Sequence, residues 1–207
     1  MSSDTLTTTI DLLRHGACHG GQIFRGHTDS LLSAEGFEQM SNTIGANPPA
    51  WDCIVSSPLR RCADFAEMLS IQYATDFSVQ DNFKEISFGD WDGRASADIE
   101  QKQAPALEKF WQDPSAYTPP NGEALLDFHQ RVIHQWQQLL LHRQGKNILL
   151  VCHGGVIRVL LAELLGMPLQ NLLRLDIPYA SLSRIQVFHS AGKPDWPQVQ
   201  FVNNVYP

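Results

Sequence analysis

The chain has 207 residues, of which 43% are hydrophobic and 18% charged, with a formal net charge of −7. This balance excludes disordered, collagenous and low-complexity proteins, and the length predicts one globular domain over residues 1–207. Its apolar runs are too short to cross a bilayer, and an acidic chain is a poor general binder of nucleic acid or anionic membranes.

Strand and helix patterns alternate along the chain. In chain order, the sequence predicts a strand at 8–13, a helix at 33–45 capped by Ser33, a strand at 52–56, helices at 58–71 and 122–143, a strand at 147–152, a helix at 156–165, and strands at 182–188 and 199–202. The segments 20–28 and 94–120 are left without a predicted element. Such alternation is typical of an α/β fold with a largely parallel sheet.

The N-terminus carries neither a basic region nor an apolar core of a leader, so no signal peptide is predicted. The four cysteines, Cys18, Cys53, Cys62 and Cys152, are irregularly spaced and form no Cys-x-x-Cys pair. Reduced thiols in a cytoplasmic protein are the simplest interpretation.

Polar side chains stand at the carboxyl ends of three predicted strands, where α/β proteins bind their ligands. Arg14 and His15 follow the first strand, Arg60 follows the second, and His153 with Gly154 follows the strand at 147–152. Two arginines and two histidines are therefore expected to converge on one edge of the sheet. Arg61 is interpreted as a surface or structural arginine.

This combination indicates phosphate chemistry. The arginine guanidinium matches phosphate oxygens, and a neutral histidine among arginines can act as a nucleophile. The backbone N–H groups of Gly154 and Gly155, which open a helix, can also face an anion. Glu85 lies between apolar residues that would desolvate it, and it is the candidate acid for a departing alcohol.

Five motifs make the indication specific. The chain carries Leu13-Arg14-His15-Gly16, Ser56-Ser57-Pro58-Leu59-Arg60-Arg61, Glu85 with Phe88-Gly89 and Trp91-Asp92-Gly93, Asn121-Gly122-Glu123, and Val151-Cys152-His153-Gly154-Gly155. In this order they resemble the histidine phosphatase superfamily, which includes the cofactor-dependent phosphoglycerate mutases. The resemblance implies a three-layer sandwich with a mostly parallel central sheet flanked by helices.

The resemblance also implies a role for each matching residue. His15 would accept the phosphoryl group, Glu85 would act as acid and then as base, and Arg14, Arg60 and His153, with Gly154, would bind phosphate. It implies no metal or other cofactor, and a small phosphorylated metabolite as the only partner, with no nucleic acid or membrane. Oligomeric state is unreadable from the sequence.

The segment 20–36 most resembles bacterial α-ribazole-phosphatase-like members, which implies α-ribazole 5′-phosphate as the substrate. Many relatives have Asn in place of Gly21 and Thr or Ser in place of Arg25. Arg25 and Gly26, together with Trp91, which lies near the proposed acid Glu85 in sequence, are candidate substrate-binding residues. A sugar phosphate or another small phosphomonoester is the alternative substrate.

Other activities remain open at the level of sequence. A phosphoglycerate mutase is less favoured, because the segment 94–117 sets only three basic residues against four acidic ones. Cys152 and Arg158 fit the Cys-x5-Arg pattern of cysteine-dependent phosphatases. A zinc site on His15, Cys18, His19 and His27 lacks paired cysteines. A non-catalytic binding module would have no reason to keep His15, Glu85 and His153.

Overall fold

The computed structural model describes residues 6–46 and 48–204. Residues 1–5, on which the predicted absence of a signal peptide partly rests, lie outside this range. Asn47, which the sequence Asn47-Pro48-Pro49 predicts to lie in a loop, is also outside it. Within the described ranges, no helix has both the length and the apolar character needed to traverse a lipid bilayer.

A six-stranded mixed sheet forms the centre of the fold. Its strands are β1 (Leu6–Arg14), β2 (Cys53–Ser56), β3 (Asp76–Val79), β4 (Asn147–Cys152), β5 (Leu182–His189) and β6 (Trp196–Asn204). They lie in the order β3-β2-β4-β1-β5-β6. Strands β3, β2, β4 and β1 pair in parallel. Strands β5 and β6 extend the sheet beyond β1 through antiparallel pairs.

Five α-helices connect and cover the strands. They are α1 (Ala34–Ile44), α2 (Arg60–Tyr73), α3 (Ser96–Gln112), α4 (Leu125–His142) and α5 (Gly154–Leu164), with single-turn or short 3₁₀ segments at Asp81–Phe83, Gly89–Trp91 and Leu169–Arg174. The predicted cap of α1 is confirmed, since the Gly36 N–H donates to Ser33 Oγ at 3.0 Å.

Alternation along the strands produces two cores. On one face, Ile10 and Leu12 pack with residues of α4 and α5 such as Phe128 and Leu160. On the other face, Leu13 packs with residues of α1 and α2. Because successive strand side chains point to opposite faces, both faces are covered by helices. The predicted α/β sandwich with a mostly parallel sheet is confirmed.

The structure departs from the predicted elements mainly around the site. Helix α5 begins at Gly154 rather than 156, and α4 begins at Leu125 rather than 122. No strand is predicted where β3, an edge strand of four residues, forms. No helix is predicted for α3, which leaves helical geometry at Gln103, two residues before Pro105.

Candidate active site

A cavity of about 420 Å³ opens beyond the carboxyl ends of β1 and β4. It receives side chains from both strands' ends, from the first turns of α2 and α5, and from the last turn of α3. Its lining residues are Arg14, His15, Gln22, Ile23, Phe24, Arg25, Gly26, Arg61, Glu85, Phe88, Ser96, Phe110, Trp111, Gly154, Arg158, Leu173 and Tyr179. A larger depression of about 510 Å³ beside Trp51 has no histidine, cysteine or carboxylate among its described lining residues.

His15 follows β1 and is almost completely buried in the cavity wall. Its Nδ1 lies 2.8 Å from the carbonyl oxygen of Gly16. Because a carbonyl can only accept a hydrogen bond, Nδ1 carries the proton and the lone pair remains on Nε2. Burial, followed by the charges of Arg61 and Arg14, holds the pKa of His15 well below its ordinary value. The imidazole is therefore neutral, as a nucleophile requires.

Arg14 lies beside His15, and its buried Nε donates no hydrogen bond to the described residues. Its guanidinium carbon stacks 4.1 Å from the centre of the Tyr179 ring, and Nη1 donates to the Ile177 carbonyl. Its Nε is buried and has no partner among the described residues. A buried, unpaired guanidinium donor at a cavity wall suits an anionic oxygen.

Arg60 does not enter the cavity, contrary to the prediction. Its side chain is 57% exposed and pairs with Asp64 at 3.1 Å, one turn along α2. Arg61 occupies the site instead and is completely buried. Adjacent residues of a helix point about 100° apart, so only one of the two arginines can face the sheet edge.

Hydrogen bonds fix the Arg61 guanidinium in the wall. Nη1 donates to the Thr28 carbonyl and Nη2 to the Gly26 carbonyl, each at 2.8 Å. Nε donates to Nδ1 of His153 at 3.3 Å. Arg61 thus joins α2, the loop before α1 and the end of β4, and it holds a positive charge near His15.

His153 is brought next to His15, with the two ring centres 5.3 Å apart. Both ring nitrogens have protein partners, since Nδ1 accepts from Arg61 and Nε2 lies 2.6 Å from Ser57 Oγ. Burial, followed by the charge of Arg61, holds the pKa of His153 well below its ordinary value. Protein groups therefore contact both ring nitrogens of the neutral imidazole, and the contact of His153 with phosphate stays a prediction.

Glu85 reaches the same cavity from the irregular segment after Asp81–Phe83. Its carboxylate accepts hydrogen bonds from the Gly155 and Ile86 amides, each at 3.1 Å. It also lines a second, 80 Å³ cavity that shares Phe88, Phe110, Arg158 and Leu173 with the first. A Cβ on Gly155 would lie 2.2 Å from Glu85 Oε1, which explains why glycine suits this position.

The three candidate substrate-binding residues differ in placement. Arg25 lines the cavity, but its guanidinium donates to Ser30 Oγ and to the carbonyls of His19 and Gly21, so it orders its own loop. Gly26 lines the cavity, and its carbonyl accepts a hydrogen bond from Arg61 Nη2. Trp91 is completely buried in an aromatic cluster and donates to Gln103 Oε1 at 2.9 Å. The interpretation of Trp91 as a substrate contact is therefore wrong.

The cysteine-based alternative is opposed by the geometry. Cys152 is completely buried, and burial, followed by the charge of Glu85, raises the pKa of its thiol. Cysteine catalysis needs an accessible thiolate. Among the described residues, no three of His, Cys, Asp and Glu are grouped as metal ligands would be.

Comparison with known proteins identifies the family. The family model for the histidine phosphatase superfamily (branch 1) matches residues 10–198. The chain is 28% identical to the adenosylcobalamin/alpha-ribazole phosphatase of Escherichia coli K12, over 85% of this chain and 88% of that protein. It is 30% identical to the glucosyl-3-phosphoglycerate phosphatase of Mycolicibacterium vanbaalenii, over 77% of this chain and 75% of the relative.

A solved structure shares the fold. The alpha-ribazole phosphatase from Shigella flexneri superposes with a TM-score of 0.79 at 27% identity, covering 95% of this chain and 96% of that one. The family match covers most of the chain, and the named relatives are phosphatases. The chain therefore belongs to the histidine phosphatase superfamily, branch 1, and is a phosphatase.

Proposed function

We propose that this protein hydrolyses small phosphomonoesters without a metal, through a phosphohistidine on Nε2 of His15. The observation that carries the proposal is the state of His15 itself. Its Nδ1 is held by the Gly16 carbonyl, its imidazole is neutral, and no described residue bonds Nε2 at the cavity wall. A nucleophile with one fixed nitrogen and one free nitrogen is preorganised for in-line attack.

In the first half-reaction, Nε2 of His15 attacks the phosphorus and the ester P–O bond breaks. The guanidinium groups of Arg14 and Arg61 stabilise the charge on the phosphoryl oxygens. The protonated carboxyl of Glu85 gives its proton to the departing alcohol oxygen. The products of this step are the free alcohol and an N–P bond on His15.

In the second half-reaction, the Glu85 carboxylate takes a proton from water and the water oxygen attacks the phosphorus. The N–P bond breaks, and inorganic phosphate leaves with His15 neutral again. Glu85 is placed for both steps because its carboxyl group lies at the junction of the two cavities, where the Gly155 and Ile86 amides fix its position.

We further propose α-ribazole 5′-phosphate as the substrate. Four aromatic residues, Phe24, Phe88, Phe110 and Trp111, line the cavity, and Trp111 is half exposed there. Such a wall favours a flat, apolar body such as the substituted benzimidazole of this ester. Similarity to the Escherichia coli enzyme supports the same choice.

A carboxylated sugar phosphate is the second candidate. Arg158 lines both cavities next to Glu85, and its Nε donates a hydrogen bond to the Leu175 carbonyl at 2.7 Å. Its outer nitrogens suit a carboxylate close to the ester oxygen. Similarity to the glucosyl-3-phosphoglycerate phosphatase fits this reading.

Steady-state hydrolysis of the two esters by the wild type, Trp111→Ala and Arg158→Met separates the candidates. With α-ribazole 5′-phosphate as substrate, Trp111→Ala should raise its KM by about tenfold and Arg158→Met should change it little. The reverse pattern, with better turnover of glucosyl-3-phosphoglycerate, would select the second candidate. His15→Ala should abolish turnover of both esters. Turnover by His15→Ala at the wild-type rate would refute the phosphohistidine route.

A further inference from the structure

The segment that carries Glu85 has no regular secondary structure, yet a single guanidinium holds it. Arg131, from the second turn of α4, donates Nη1 to the carbonyls of Asn82 and Lys84, each at 2.8 Å. Its Nη2 donates to the carbonyl of Glu85 at 3.0 Å. Three carbonyls within four residues therefore converge on one side chain.

Glu123 binds both Arg131 and the residues that follow Glu85. Its carboxylate binds Arg131 through two parallel contacts, Nε to Oε1 at 2.6 Å and Nη2 to Oε2 at 2.8 Å. Glu123 also exchanges two hydrogen bonds with the backbone of Ser87, at 2.9 and 3.3 Å. The residues before and after Glu85 are thus fixed by one ion pair.

Arg131 has no donor left for a substrate. A guanidinium offers five N–H groups, and the Nε, the two Nη1 and the two Nη2 hydrogens each have a protein acceptor. Arg131 lines neither cavity, whereas Glu123 lines only the 80 Å³ cavity. Any effect of Arg131 on the reaction must therefore pass through the segment that it holds.

We propose that the Arg131–Glu123 ion pair is the positioning device for Glu85. By anchoring the backbone at 82–87, it places the Glu85 carboxylate against the Gly155 amide, where a leaving group can receive its proton. A misplacement of about 1 Å can cost about 100-fold in rate. This inference rests on the proposed role of Glu85 as the acid.

The test compares benzyl phosphate with p-nitrophenyl phosphate. Both carry one aromatic ring, but the benzyl alkoxide needs a proton to leave, whereas p-nitrophenolate does not. Arg131→Lys keeps the charge but offers three donors on one nitrogen, which cannot span four acceptor residues. Glu123→Gln keeps the side-chain volume and serves as a second variant if Arg131→Lys does not fold.

Arg184→Lys is the matched control. Arg184 makes the same two-contact pair with Asp11, at 2.7 and 3.0 Å, and stacks on Phe201 as Arg131 stacks on Phe128. Its side chain is 29% exposed, against 21% for Arg131. The pair lies outside the 420 Å³ cavity.

For Arg131→Lys and Glu123→Gln, kcat/KM on benzyl phosphate should fall by about tenfold or more, with p-nitrophenyl phosphate within about threefold. Arg184→Lys should lower only the melting temperature. If the Arg131 and Glu123 variants lose stability but keep the wild-type ratio of the two substrates while Glu85→Gln changes it, the positioning role is refuted and the proposed function stands. If Glu85→Gln also keeps the ratio, the acid role of Glu85 fails, and the inference with it.

Discussion

The finding that Arg61, and not Arg60, lies at the phosphate site gives the sharpest prediction. The two residues are adjacent, carry the same charge and begin the same helix, α2. Arg61 is completely buried in the cavity wall, whereas the Arg60 side chain is 57% exposed. Changing each to lysine keeps the net charge and alters only the shape and reach of the donor.

The expected losses of kcat/KM differ by about two orders of magnitude. Arg61→Lys replaces donors that reach the carbonyls of Gly26 and Thr28 and the ring of His153. Losing a preorganised donor to transition-state charge costs about 10²–10³ in kcat. Each buried acceptor left unpaired lowers the free energy of unfolding by a further ~1–3 kcal/mol. Arg60 gives up only an exposed pair with Asp64, which contributes about 0.3–0.5 kcal/mol.

The assay is kcat/KM on p-nitrophenyl phosphate, normalised to the folded fraction measured by circular dichroism. Arg60→Lys should stay within about twofold of the wild type, while Arg61→Lys should lose about 100-fold or more. A large loss in Arg60→Lys with near-normal activity in Arg61→Lys would refute the placement of the two side chains.

The unfolding free energy should fall as the pH drops from about 6.5, because His15 and His153 have depressed pKa values in the folded protein and the unfolded chain binds more protons there. The slope is up to about 1.4 kcal/mol per pH unit for each histidine, and urea titrations between about pH 7.5 and 5.5 measure it; a flat profile would contradict neutral, buried imidazoles. Gly155→Ala would place a Cβ 2.2 Å from Glu85 Oε1, so kcat/KM on benzyl phosphate should fall by about tenfold with p-nitrophenyl phosphate nearly spared. Equal losses on both esters would speak against the position of Glu85. EDTA should leave hydrolysis unchanged, and activity lost to EDTA and restored by a divalent cation would disprove a metal-independent reaction.

The sequence predicts where the strands end, because polar residues follow the apolar runs. Most of the site lies at these strand ends and is therefore predicted as well. Arg14, His15, Gly154 and Glu85 all line the cavity. It fails at Arg60 because Arg60 and Arg61 have identical side chains. The helical period could have distinguished them, because Arg61 lies four and eight residues before the buried Phe65 and Leu69 and so shares their face of α2.

The remaining differences arise from tertiary contacts. Trp91 lies next to the site in sequence, but the side chains of α3 bury it, and α3 itself was missed because Pro105 breaks a polar segment. The position of Glu123 at the start of the helix predicted at 122–143 favours stabilisation of that helix's first turn by its charge. Its carboxylate instead pairs with Arg131 in the second turn of α4 and accepts a hydrogen bond from the Ser87 amide, and only the folded segment at 82–87 reveals these contacts.

The central claim is that the phosphoryl group is carried by His15. Phosphoenzyme trapped by quenching into an alkaline detergent solution, and then tested for acid and alkali stability in the wild type, Cys152→Ser and His15→Ala, examines this directly. An adduct that is acid-labile and alkali-stable, survives Cys152→Ser and is lost with His15→Ala places the phosphoryl group on the imidazole, as predicted. An adduct that is lost with Cys152→Ser and survives His15→Ala would contradict the account.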